Sequence, residues 1–198
     1  MTGRLTYRLA RLARWCTHRA TVLLYTVDLR APLPPAPLPR RPILIEPITP
    51  ANLPRAREME PDYRIARFRQ FLLDSDAGYF ALLDGHVVHR SWVQFGPRIV
   101  QQHHDLAPYR LNEHEAYIHF CETAPAARGL GIYPAVLAHI LRELKMKSVH
   151  RCYIATTADN TASQRGIEKV GFKLFLRTEI KVVLGHIHRH AVLLCAAS

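Results

Sequence analysis

Pro125-Ala126-Ala127-Arg128-Gly129-Leu130-Gly131-Ile132-Tyr133-Pro134 lies between the strand-like run EAYIHFCET (115–123) and the helix-like run IYPAVLAHILRELKMKSV (132–149). Each glycine weakens a helix or strand by up to about 1 kcal/mol relative to alanine. A turn that holds two of them needs positive φ or a close approach to its backbone. A glycine-rich turn from strand to helix leaves the first helical N–H groups without partners. Those donors and the positive end of the helix dipole form an anion site. Gly129 and Gly131 let a phosphate come close with no Cβ in the way, and Arg128 adds a fixed positive charge. Pro134, early in the helix, needs no N–H partner. The spacing is neither the G-x-x-x-x-G-K-[ST] of a P-loop nor the G-x-G-x-x-G of a dinucleotide site.

Further along, RCYIATT (151–157) reads as a strand, and Asn160-Thr161-Ala162-Ser163-Gln164-Arg165-Gly166-Ile167-Glu168-Lys169-Val170-Gly171-Phe172 as a short helix ended by glycine. The two blocks together resemble the GNAT superfamily of CoA-dependent N-acetyltransferases. Its first signature, [QR]-x-x-G-x-[GA], is similar to Arg128-Gly129-Leu130-Gly131-Ile132-Tyr133, except for tyrosine at the sixth place. Its second block matches at Asn160, Ser163, Glu168, Lys169, Gly171 and Phe172. The resemblance covers roughly residues 43–185. It implies an α/β fold with a mixed, mostly antiparallel sheet flanked by helices, which agrees with the alternation of strands and helices around 115–157.

The resemblance implies acetyl-CoA or another acyl-CoA as co-substrate and no metal. The pyrophosphate is expected on the backbone amides of Leu130, Gly131, Ile132 and Tyr133, beside Arg128 and Gly129. The pantetheine arm is expected along the strand ending at Thr123, with Asn160 and Ser163 contacting it from the next unit. An amine attacks the thioester directly, and a backbone N–H near the end of that strand stabilises the oxyanion. A base or a water chain takes the amine proton. Glu122 is the first candidate for that base, followed by Glu115 and His119. Simple alternation puts Glu122 and His119 on opposite faces. The family often has a tyrosine seven residues after the motif asparagine, which protonates the leaving thiolate. Here that position is Ile167. Tyr133 substitutes for it, or water does, or the chain binds CoA with little turnover. A packing role for Tyr133 stands beside the catalytic one.

Outward from these motifs, ILIEPI (43–48) reads as a strand, PANLPRAREM and YRIARFRQFLLDSD as two short helices, and the runs around Asp84-Gly85 as a hairpin. Val136, Leu137, Ile140, Leu141 and Leu144 mark the buried face of the long helix. FKLFLRTEIKVVL and HIHRHAVLLC close the chain as a hairpin about Gly185. His186, His188 and His190 share one face there, and His103-His104 is adjacent, yet no cysteine or carboxylate stands beside them at a ligand spacing.

The net charge is +11 over 198 residues, and +7 of it falls in residues 1–41. Leu5, Leu9, Leu12 and Cys16 form a helical apolar stripe opposite Arg4, Arg8, Arg11 and Arg14. This predicts an amphipathic helix over residues 1–20. An accessory helix, a membrane-surface helix, and a targeting segment or nucleic-acid arm are all open readings of it. TVLLYTVDL (21–29) is a strand or the continuation of that helix. APLPPAPLPRRP (31–42) has six prolines and is an extended linker or strap. The expected division is a basic helical extension and linker over 1–42 and an acyltransferase domain over 43–198.

The expected partner is a small-molecule amine acceptor, with the basic charge favouring an anionic one. Nucleic acid ranks last, because no basic surface is interleaved with aromatics. The resemblance also allows a homodimer. Four scattered cysteines fit a cytoplasmic setting, membrane-peripheral if residues 1–20 dock on lipid. The rival reading is a non-catalytic CoA- or nucleotide-binding module that docks on an anionic partner through its N-terminal helix.

Overall fold

The structure is a computed structural model that describes residues 17–100, 109–183 and 186–193. Among the described residues, ten strands fall in two sheets. The large sheet runs β10(His186–Leu193)-β9(Lys173–Val183)-β1(Thr17–Asp28)-β8(Arg151–Thr157)-β7(Glu115–Thr123)-β4(His86–Phe95)-β3(Ala77–Leu83)-β2(Leu44–Ile48). All its pairings are antiparallel except β7 with β8. β5(Ile99–Val100) and β6(Tyr109–Arg110) make a small separate sheet, which the sequence did not suggest.

Among the described residues, three helices and the 3-10 turn Leu53–Glu58 cover the large sheet. α1(Asp62–Leu73) follows the 3-10 turn Leu53–Glu58 on one face. There Leu53, Ala56, Ile65 and Phe68 pack on Phe80, Leu82, Val87 and Trp92. α2(Ile132–Met146) and α3(Thr161–Glu168) lie on the other face. Val136, Leu137, Ile140, Leu141 and Leu144 are buried there against Tyr79, Ala81, Val93, Ala116, Ile118 and Ile154, as the helical periodicity predicts. The β3–β4 hairpin turns on Asp84 and Gly85, with φ of 53° and 82°. Both values are positive, as a two-residue type I′ turn requires.

Residues 21–28 are strand, not helix, and Leu29 begins a turn. β1 starts at Thr17, so residues 17–20 of the expected amphipathic helix are strand as well. The rest of that helix, His103-His104 and the turn at Gly185 lie outside the described residues. β1 fills the slot between β8 and β9, so the boundary expected at residue 42 does not divide the sheet. Its β-branched and aromatic content suits a central strand: Val22, Leu23, Leu24, Tyr25 and Val27 are all buried.

The proline-rich tract that follows has no regular secondary structure and is a docked strap. The Lys145 ammonium donates to the Ala31 carbonyl at 2.8 Å, and the Arg40 N–H donates to the Leu130 carbonyl at 2.8 Å. Pro34 packs at Gly171 and Pro39 at Gly131. Among the described residues, no helix is long and apolar enough to cross a membrane.

Candidate active site

β7 and β8 pair in parallel only from Glu115–Ile118 to Arg151–Ile154. Beyond that register β7 continues to Thr123 and β8 to Thr157 without pairing each other. Main-chain groups there face an opening instead of a neighbour. The Ala124 N–H bonds the Val88 carbonyl at 2.9 Å, so by ladder alternation the Thr123 N–H points away from β4 and into the opening. The glycine turn and the starts of α2 and α3 stand at the mouth of this gap.

In the turn, Gly129 and Gly131 have φ of 77° and 76°. This left-handed backbone is the reason for both glycines. No side chain caps α2, so the first N–H groups of that helix stay available. A Cβ at Gly129 would meet nothing within 4 Å, whereas one at Gly131 would face Pro39 Cα at 3.5 Å and the Leu38 carbonyl oxygen at 3.6 Å. The turn is thus open on one side and walled by the strap on the other. Arg128 is exposed; its Nε donates to the Thr123 carbonyl at 3.2 Å, and its guanidinium lies 3.8 Å from Glu122. Leu130 rests partly buried on the core and Ile132 is in it, so both can serve a ligand only through their backbones.

Tyr133 and Ser163 meet across the two helices, with Oη and Oγ 3.3 Å apart. Gly166 makes this possible, since a Cβ there would stand 2.7 Å from Tyr133 Cδ1. Burial pushes the Tyr133 hydroxyl well above its ordinary pKa, with Cys121 adding to the effect. The phenol therefore remains protonated and able to donate. Asn160 caps α3: its Oδ1 accepts the Ser163 N–H at 3.1 Å. Ile167 is fully buried in the core. The Cys121 thiol is pushed up to about 11 by burial and stays neutral.

On the α1 face, Glu122 is ringed by arginines: Arg90 at 3.5 Å, Arg64 at 3.7 Å and Arg128 at 3.8 Å. Glu115 belongs to the paired end of β7, where it accepts the Asn112 N–H at 2.9 Å and the Tyr153 hydroxyl at 2.9 Å. His119 Nε2 lies 3.2 Å from Asp76 Oδ2, and its Nδ1 is buried without a partner. Burial pushes the His119 pKa down while Asp76 opposes the change.

Glu122 and His119 do not lie on opposite faces. The β4–β7 register shifts between Arg90 and Trp92, and Phe120 takes φ of 49°. One extra residue in β7 restores Glu122 to the face of His119, opposite Arg90 and Trp92 respectively. Three neighbours of the site were not anticipated. His89, fully buried, bonds Thr123 Oγ1 through Nδ1 at 2.7 Å and Ser91 Oγ through Nε2 at 2.8 Å. The others are the buried pair Arg90–Glu60 and the strap. Polar residues inside the β-rich run HVVHRSWVQF were the available signal for the first two.

A splayed parallel strand pair, with an uncapped helix behind a left-handed glycine turn, defines the class: an α/β protein whose sheet parts beside a helix N-terminus. The acetyltransferase (GNAT) family model matches residues 45–172, and the chain belongs to that family. The fold is similar to an acetyltransferase of the GNAT family from Colwellia psychrerythraea: TM-score 0.58, 16% identity, covering 91% of this chain and 62% of that one. A GCN5-related N-acetyltransferase from Sphaerobacter thermophilus gives TM-score 0.58 at 16% identity, covering 95% of this chain and 57% of that one. An aminoglycoside N-acetyltransferase in complex with CoA gives TM-score 0.50 at 20% identity, covering 65% of this chain and 90% of that one. The chain thus spans about three-fifths of the length of the first two. No curated protein matches the sequence at a significant level.

Proposed function

We propose that the protein is an acyl-CoA-dependent N-acyltransferase that moves an acetyl group from acetyl-CoA to a small-molecule amine. The observation that carries this reading is the gap between β7 and β8, with the open side of the Gly129–Gly131 turn at its mouth. The pyrophosphate sits on the amides of Leu130 to Tyr133, beside Arg128. The pantetheine arm lies along β7 towards Thr123, near Asn160 and Ser163.

The amine nitrogen attacks the thioester carbonyl carbon, and the carbonyl oxygen becomes an oxyanion held by a β7 N–H. The C–S bond then breaks, and the thiolate takes its proton from Tyr133, which Ser163 holds in place and which regains a proton from solvent through the open gap. The amine proton passes to Glu122, whose side chain is 42% exposed, and on to solvent. The neutral, half-buried Cys121 favours direct transfer over an acyl-cysteine, which needs a thiolate. Arg67 lies 4.6 Å over the Phe120 ring and forms no ion pair among the described residues. It suits an acceptor that carries an anionic group.

Calorimetric titration with acetyl-CoA tests the reading. Native protein binds, Gly131→Ala binds more weakly, and Gly131→Glu, with the same backbone strain plus a negative side chain, does not. A native protein that ignores acetyl-CoA sinks the proposal. Ile167, buried where the family often has tyrosine, favours a second reading as a non-catalytic CoA-binding module. Binding without turnover over a panel of neutral and anionic amines would select it.

A further inference from the structure

We infer that Arg90 is a positioning residue for the transfer step: it orients and polarises the Phe120–Cys121 peptide, so that the Cys121 N–H is the donor to the oxyanion. This rests on the acyl-transfer reading above.

Arg90 is 2% exposed, on the α1 face of β4. Its Nε donates to Glu60 Oε1 at 2.7 Å, its Nη2 bonds the same oxygen, and its Nη1 donates to the Phe120 carbonyl. The guanidinium carbon lies 4.9 Å over the Phe68 ring and 5.5 Å over the Phe120 ring. Glu60, the Phe120 carbonyl and two rings thus hold this cation, with Glu122 3.5 Å away, and one of its contacts is a main-chain carbonyl of β7. That carbonyl belongs to the residue with φ of 49°, in the bulge where Phe120 and Cys121 together face Ser91.

The peptide is planar and trans, so its C=O and N–H point in opposite directions. With the Phe120 oxygen turned to Arg90 on the α1 face, the Cys121 N–H points to the α2 and α3 face. Tyr133 and Ser163 meet on that face, and Cys121 is close enough to Tyr133 to raise its hydroxyl pKa. The expected proton donor and the N–H thus converge on the same end of the gap.

A cation on a peptide oxygen draws charge through the amide and makes the N–H a stronger donor. A donor fixed before charge develops is worth more in a site shielded from water. Stability alone is a weak reason for this network, because apolar residues of similar volume often replace a buried ion pair without loss. The left-handed phenylalanine likewise persists only because its surroundings force it. Both features have a use if the bulge must present one N–H at a set angle.

The test is infrared difference spectroscopy of acetyl-CoA labelled with carbon-13 at the thioester carbonyl, bound to three proteins. These are wild type, Arg90→Lys, and Arg90→Met combined with Glu60→Leu. The double variant removes both buried charges and so avoids a buried carboxylate left to Arg64 alone; Arg90→Lys keeps a cation but reaches fewer partners. Wild type is expected to lower the carbonyl stretch relative to free acetyl-CoA. The shift is expected to shrink in Arg90→Lys and to vanish in the double variant, at unchanged dissociation constants. The kcat for acetyl-CoA consumption, with water as acceptor, should fall roughly 10- to 100-fold at constant KM, part of the ~10²–10³ lost with a whole oxyanion donor. An undiminished shift in either folded variant overturns the inference and leaves acyl transfer standing. Failure of wild type to bind acetyl-CoA overturns both.

Discussion

His89 makes the stability of this fold depend on pH between about 6.5 and 3. Its ring is fully buried and bonded at both nitrogens, to Thr123 and Ser91. Burial, and then the neighbouring Arg90, push its pKa down to about 3 from 6.5. The folded protein therefore keeps the ring neutral where the unfolded chain takes up a proton. Stability is complete above pH 6.5, falls as the pH drops through that value, and goes on falling to about pH 3. At pH 5 the gap between the pH and the unfolded pKa is about 1.5 units, and at 1.36 kcal/mol per unit His89 alone removes about 2 kcal/mol. For a chain of this size that lowers Tm by about 4–8 °C. His119, also pushed down by burial, adds a loss of the same sign. The assay is urea unfolding of wild type and His89→Asn at pH 7 and pH 5. The variant is weaker at pH 7 because it loses hydrogen bonds, but it loses about 2 kcal/mol less than wild type between the two pH values. An identical pH dependence in both proteins refutes the argument, since it would mean that His89 titrates freely in the folded state.

Gly131→Ala costs about 1–2 kcal/mol in thermal unfolding, all of it backbone strain, because the added methyl meets Pro39 and Leu38 only at 3.5 and 3.6 Å. Gly129→Ala carries the same strain with nothing within 4 Å, and a smaller loss in both would show that the turn relaxes from positive φ. Gly78→Ala forces a methyl to 2.8 Å from Trp92 Cζ3 and 2.9 Å from Ile48 Cβ, an overpacking cost of about 1–3 kcal/mol by urea unfolding. Arg90→Met alone leaves the buried Glu60 to the half-exposed Arg64, 3.3 Å away, and costs about 3 kcal/mol, whereas adding Glu60→Leu restores most of it. A double variant as weak as the single one would show that the pair stabilises the fold by itself.

Features written in neighbouring residues were legible in the sequence. Asp84-Gly85 gave the hairpin, the spacing of Val136 to Leu144 gave the buried face of α2, and Gly129 and Gly131 gave the left-handed turn. Each depends on backbone conformation or periodicity within a few residues. What escaped depends on partners far along the chain. The place of β1 is decided by β8 and β9, and TVLLYTVDL states only that it is apolar and β-branched. The bulge at Phe120 has no glycine to announce it, so period-two counting across it assigned Glu122 to the wrong face relative to His119. The ring of arginines around Glu122 draws on α1, β4 and the glycine turn, and it exists only once the sheet has closed.

The position of β1 also sets the order in which the sheet can be completed during synthesis. Both neighbours of β1, β8 and β9, are made more than a hundred residues after it. At the usual 5–20 residues per second, the ribosome needs on the order of ten seconds to supply the first of them. Throughout that time Val22, Leu23, Leu24, Tyr25 and Val27 lack their strand partners, and the nascent chain carries an adhesive, unpaired strand. Ribosome-associated holding factors would therefore have this segment to cover. The yield of soluble protein should depend more on translation speed and temperature than the stability of the finished fold alone suggests.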